Sequence, residues 1–102
     1  MAEAKKTYPY SSVLLYNLAC DVAEMYKAKV TEDKAGRFAF TTEMYRQKKK
    51  YIFDISEQPG GCLLSIATPG DGEQNEQDIS FMFGLVDNML AQFPEDIKIS
   101  PG

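Results

Sequence analysis

From Lys29 to Thr68 the chain is a series of short alternating runs separated by turns, none long enough to return a strand to the end of the sheet where it began. Neighbouring runs must therefore pair antiparallel. Lys29-Val30-Thr31-Glu32 is a short strand candidate, and Asp33-Lys34-Ala35-Gly36 is a turn with Gly36 available for positive φ. Arg37 to Glu43 alternates, with Phe38, Phe40 and Thr42 on one side. After the polar stretch Arg46-Gln47-Lys48-Lys49-Lys50, the strand Tyr51 to Ser56 puts Tyr51, Phe53 and Ile55 on one face. Glu57-Gln58-Pro59-Gly60-Gly61 is a hairpin connection into a last strand, Cys62 to Thr68.

Two segments of helical period bracket these runs. In residues 11–28, Leu15, Leu18, Ala19, Val22, Met25 and Tyr26 form an apolar stripe, with Asn17, Asp21, Glu24 and Lys27 opposite. Ser11 is the natural N-cap, and Tyr10 and Leu15 occupy the positions of a hydrophobic staple. In residues 78–93 the stripe is Ile79, Met82, Phe83, Val86, Met89, Leu90 and Phe93, with Asn75 or Asp78 as cap and Pro94 as stop. The pattern predicts an α+β domain of two layers: an antiparallel sheet of three or four strands with the N- and C-terminal helices on one face. With 102 residues, the chain is read as a single domain over 1–102, with 1–8 and 95–102 as flexible tails.

The opening Tyr8-Pro9-Tyr10-Ser11, the stretch Val30 to Phe38 turned by Asp33 and Gly36, and the closing amphipathic helix carry a resemblance. The chain resembles small uncharacterised bacterial domains of α-β-β-β-β-α order, related in shape to TATA-binding-protein-like and helix-grip folds. No catalytic motif comes with that resemblance, so it implies a shape and no functional residue.

Several chemistries are excluded or disfavoured. The chain has no histidine, so a Ser-His-Asp or Cys-His nucleophile cannot form within it. Cys20 and Cys62 fit neither a CxxC redox motif nor zinc spacing and read as reduced, half-buried thiols. The loop Gly70 to Asn75 lacks the third glycine and the lysine of a phosphate cradle, and Asp71, Glu73 and Glu76 repel phosphate. As a calcium loop it has Asp71, Glu73 and Asn75 in alternation, but Glu76 and Met82 stand where glycine and a bidentate glutamate belong. Asp21 and Glu24 sit on a polar helix face, which offers no shielded site to split their pKa values. No enzyme, cofactor or metal is expected. With no signal-like run after Lys5-Lys6 and no bilayer-length apolar stretch, a cytoplasmic location and no membrane partner are expected.

Three surfaces remain as candidates. Residues 1–50 hold ten basic and six acidic side chains, a net of +4, and residues 51–102 one basic and nine acidic, a net of −8. The one compact basic cluster is Arg46, Lys48, Lys49 and Lys50, flanked by Tyr45 and Tyr51, which suits an anion or a nucleic-acid strand. Net acidity makes nucleic acid an unfavoured partner, and lysines also guard a strand edge. Phe81 and Leu85 lie off the main stripe of the second helix around Gly84, marking a possible interface with a protein partner or a second copy. Tyr16, Tyr26, Phe40 and Phe53 could line an apolar pocket between helices and sheet. The leading expectation is a non-catalytic binding or interaction module, possible as a homodimer. A small apolar-ligand carrier and anion or nucleic-acid contact through 46–50 are the alternatives.

Overall fold

The turns act as their lengths require. A computed structural model of the chain describes residues 1–44, 46–70 and 72–93, and its sheet is antiparallel throughout. In chain order the elements are β1 (Ala2–Tyr8), α1 (Ser12–Met25), β2 (Lys29–Lys34), β3 (Arg37–Met44), β4 (Gln47–Gln58), β5 (Gly61–Thr68) and α2 (Glu73–Leu90). The sheet order is β1-β5-β4-β3-β2, so β2 to β5 form a meander and β1 closes onto β5.

This corrects the expected three or four strands to five. The added strand is Ala2–Tyr8, in the leader expected to be a flexible tail, and it pairs along its whole length with β5, from Ala2 opposite Thr68 to Tyr8 opposite Cys62. The expected order α-β-β-β-β-α thereby gains a strand at its start. The tail 95–102 lies outside the described residues.

Local chemistry explains the elements. Ser11 caps α1: its Oγ accepts from the Leu14 N–H at 3.2 Å, satisfying one of the free first-turn amides. Gly36 and Gly60 take φ of 81°, the left-handed region that the β2–β3 and β4–β5 turns require. Helix α2 starts at Glu73, earlier than the expected 78, with Gly72 as N-cap and no side-chain cap. Asn75 and Asp78, expected as caps, instead face β4, where Lys49 meets both.

The main core joins Leu15, Leu18 and Val22 of α1 and Ile79, Met82 and Val86 of α2 to Phe38, Phe40, Tyr51, Phe53, Ile55, Leu64 and Ile66 of the sheet. Phe40 stands at its centre, with ring centroids 5.9 Å from Phe38, 5.8 Å from Tyr51 and 5.7 Å from Phe53. The intervening strand positions, which point the other way, form a small second cluster of Ala39, Ile52 and Ala67. No helix among the described residues is long and apolar enough to cross a membrane.

Candidate functional site

A depression lies where the first turn of α1 meets the β2–β3 turn and the end of β4. Its volume is about 500 Å³, and its walls are Ser12, Val13 and Tyr16 on one side, Asp33 to Gly36 on another, and Ile55 and Glu57 below. Strand pairing assembles it. Asp33 stands opposite Phe38, Phe38 opposite Phe53, and the Ile55 N–H donates to the Gly36 carbonyl at 2.8 Å, so the turn is tied to β4 beneath the helix.

Two hydroxyls orient the cleft's carboxylates. Tyr16 Oη donates to Asp33 Oδ1 at 2.6 Å, and Ser12 Oγ donates to Glu57 Oε1 at 3.0 Å. The Tyr16 ring packs edge-on against Phe38, with centroids 5.7 Å apart. Its phenol is held well above the ordinary tyrosine range, first by the bond to Asp33 and then by burial, so it stays a donor.

The proposed pocket residues separate in the structure. Phe40 and Phe53 are closed inside the core, Tyr26 is half-buried against it, and Tyr16 alone of the four lines the cleft. Ser12, Val13, Asp33 and Glu57 are not suggested by the sequence as a group. Ser12 and Val13 lie far in the chain from Asp33 and from Glu57, and the packing of α1 against the β2–β3 turn and the end of β4 brings them together.

The basic cluster also divides. Alternation along β4 turns Lys49 inward, where its Nζ lies 2.9 Å from Asp78 Oδ2 and 3.1 Å from Asn75 Oδ1 of α2. Lys48 and Lys50 point to the Ala39–Ile52–Ala67 side, and the register Lys29–Thr41–Lys50 adds Lys29 to them. Arg46 sits exposed in the β3–β4 turn with φ of 64°. Of the flanking aromatics, Tyr51 is completely buried and cannot stack on a base, and Tyr45 lies outside the described residues.

Phe81 and Leu85 take different roles. Phe81 is 47% exposed, whereas Leu85 is half-buried and packs against the main core. Around Phe81 the outer face of α2 shows the uncharged Gln77, Ser80, Gly84 and Asn88, all exposed, with the exposed carboxylates of Glu73 and Glu76 on the N-terminal side. Nothing lies within 4 Å of where a Gly84 side chain would be.

Cys20 and Cys62 are free thiols, half-buried and buried respectively. Burial, and then the charge of Glu57, pushes the Cys62 thiol up. Among the described residues no group of three or more Cys, Asp or Glu side chains could hold a metal ion. The β1 strand is fastened to α2 through Asp87, which accepts from Lys6 Nζ at 2.7 Å and Tyr8 Oη at 2.8 Å. Burial, and then this bond, raises the Tyr8 phenol well above its usual range.

These raised groups set a direction for alkaline stability. The folded chain keeps protons on Tyr8 and Tyr16 that the unfolded chain releases near pH 10, so the contribution is complete below about pH 10 and lost as pH rises further. The Cys62 thiol adds a loss of the same sign that begins near about pH 8.5. Urea midpoints should accordingly be flat near neutrality and fall on the alkaline side. Combining Tyr8→Phe with Tyr16→Phe should shrink the steeper part of that fall; an equally steep fall in the double variant would show that other groups drive it.

No family model matches this chain, and no curated protein matches it either.

Proposed function

We propose that the protein is a non-catalytic interaction module that pairs with a second copy of itself through the outer face of α2. The reading includes a two-layer shape with both helices on one face of the sheet, like the TATA-binding-protein-like and helix-grip folds. The single core cluster shared by α1, α2 and the inward strand positions supports that shape. One observation carries the functional reading: Phe81 stands 47% exposed one turn from Gly84, whose missing side chain leaves the helix backbone open to approach.

A two-fold pairing lays the Phe81 of each copy against the bare Gly84 backbone of the other, the self-complementary arrangement that an isologous dimer needs. The stripe Gln77–Ser80–Gly84–Asn88 carries no charge, and an antiparallel pairing centred on it keeps the Glu73 and Glu76 of the two copies apart. One helix face is smaller than a standard interface, so the association is weak. Sedimentation velocity up to about 1 mM, where an interaction of about −4 kcal/mol is half-populated, should reveal a dimer. Phe81→Asp should return it to monomer with no loss of stability. A wild-type monomer across that range, or a dimer indifferent to Phe81→Asp, overturns the reading.

Lys29, Lys48 and Lys50 share one face of the sheet, with Glu43 opposite Lys48, and this excess of positive charge favours a second reading, contact with an anion. None of the three has an ion-pair partner among the described residues. The fully buried Tyr51 ring withholds the stacking surface that a nucleic-acid strand would use.

A further inference from the structure

The acidic side chains around the sheet fall into two groups. Glu32, Asp54, Asp78 and Asp87 each pair with a lysine or arginine. Among the described residues Glu3 and Glu43, exposed and away from the cleft, do not; nor do Asp33 and Glu57, which line it. Each of the latter two has one carboxylate oxygen held by a hydroxyl, which orients the group without cancelling its charge. That leaves Oδ2 of Asp33 and Oε2 of Glu57 without a hydrogen-bond or ion-pair partner among the described residues. Both residues line the cleft of about 500 Å³.

The one cation in the cleft wall does not compensate them. Lys34 Nζ lies 4.0 Å from Glu32 Oε2 and makes no ion pair with Asp33 or Glu57. Apart from the two carboxylates, Ser12 and Lys34, the lining is apolar: Val13, at 66% exposed, with Ala35, Ile55 and the Tyr16 ring. An exposed valine beside two oriented, uncompensated carboxylates is surface that an apolar body with one positive charge would cover. The volume lies within the range of small-molecule sites.

We propose that this cleft binds a small organic cation, a protonated amine on an apolar body, with the amine between Asp33 and Glu57 and the body against Val13, Ile55 and Tyr16. The ammonium donates to the open oxygen of one carboxylate and lies in the field of the other, while Tyr16 and Ser12 keep their bonds to Asp33 and Glu57. Anions are repelled by the same charges. A neutral molecule of equal shape gains the apolar contact and loses the charge-assisted hydrogen bonds. This site is separate from the α2 face, since none of its residues belongs to that helix.

Phenethylamine is the probe, with phenethyl alcohol and hydrocinnamate as its neutral and anionic counterparts. In a two-dimensional amide NMR titration, phenethylamine should give saturable shifts concentrated at Ser12, Val13, Tyr16, Ala35, Gly36 and Ile55, in the millimolar range that so few atoms allow. Phenethyl alcohol should bind several-fold more weakly and hydrocinnamate should leave these amides unmoved. Combining Asp33→Asn with Glu57→Gln should weaken the amine about tenfold, the sum of two partly exposed charge contacts. Val13→Lys, at an exposed position the fold does not need, should weaken it comparably and serves if the double variant is unstable. Equal binding of amine and alcohol, shifts elsewhere, or an affinity untouched by these changes would overturn the proposal. The same titration on Phe81→Asp should match wild type, so a failed dimer leaves this result standing and a failed cleft leaves the dimer standing.

Discussion

Gly61→Ala is expected to destabilise the protein by about 3 kcal/mol, at the upper end of what overpacking costs, and to do so by pushing β1 off the sheet. A Cβ at this position would lie within van der Waals overlap of the Tyr8 carbonyl oxygen, 2.9 Å from the Tyr8 carbonyl carbon and 3.1 Å from Pro9 Cα. All three atoms are backbone, so no rotamer change relieves the clash. Tyr8 is the last residue of β1 and pairs with Cys62, the residue after Gly61. Relief therefore requires β1 or the β4–β5 turn to move. Gly60→Ala is the contrasting variant. Nothing lies within 4 Å of its added carbon, and its cost comes only from a φ of 81°. Urea denaturation should place Gly61→Ala well below Gly60→Ala, and amide exchange in Gly61→Ala should quicken along Ala2–Tyr8 first. Equal stability of the two variants would mean that the close approach of β1 is not tight.

The same strand shows how far the sequence could be read. The meander was legible because its turns are short and its runs alternate, and α1 because Ser11 and the stripe from Leu15 to Val22 coincide. β1 was not, because Ala-Glu-Ala-Lys-Lys-Thr-Tyr has little apolar surface and one of its inward positions is Lys6, whose ammonium reaches Asp87. A signal for it lay in β5. Gly61–Thr68 is nearly all apolar and is buried at almost every position, the mark of a central strand that needs a neighbour on each side. The start of α2 was missed for a related reason. Glu73 to Gln77 bring no apolar residue to the stripe, and this polar turn is held by Lys49 from a distant strand. The cleft was illegible altogether, since its two carboxylates are united only by register.

Lys49→Met is expected to cost about 3 kcal/mol, because it leaves the Asp78 carboxylate buried without a counter-charge. The Lys49 and Asp78 side chains are only 14% and 6% exposed, and their charges lie 2.9 Å apart. Asp78 Oδ1 accepts from Gln74 Nε2 at 3.0 Å, while Oδ2 has no well-angled hydrogen bond, so the charge of Lys49 is its main compensation. An exposed surface pair would contribute less than about 1 kcal/mol, and burial is what separates this one from the pair between Arg37 and Asp54. In a domain of this size the loss corresponds to a Tm lower by about 15 °C. The partner variant tests the cause. Adding Asp78→Leu to Lys49→Met removes the stranded charge and should recover most of the loss, as apolar replacements of buried pairs do. If the double variant is no more stable than Lys49→Met alone, the lysine acts through its packing and its bond to Asn75. Amide exchange locates the effect either way: Glu73–Asp78 should open early in Lys49→Met while β5, at the centre of the sheet, stays protected. Lys49 is thus the one member of the basic cluster whose neutralisation should unlatch a helix, whereas neutralising Lys48 or Lys50 should change stability by less than about 0.5 kcal/mol.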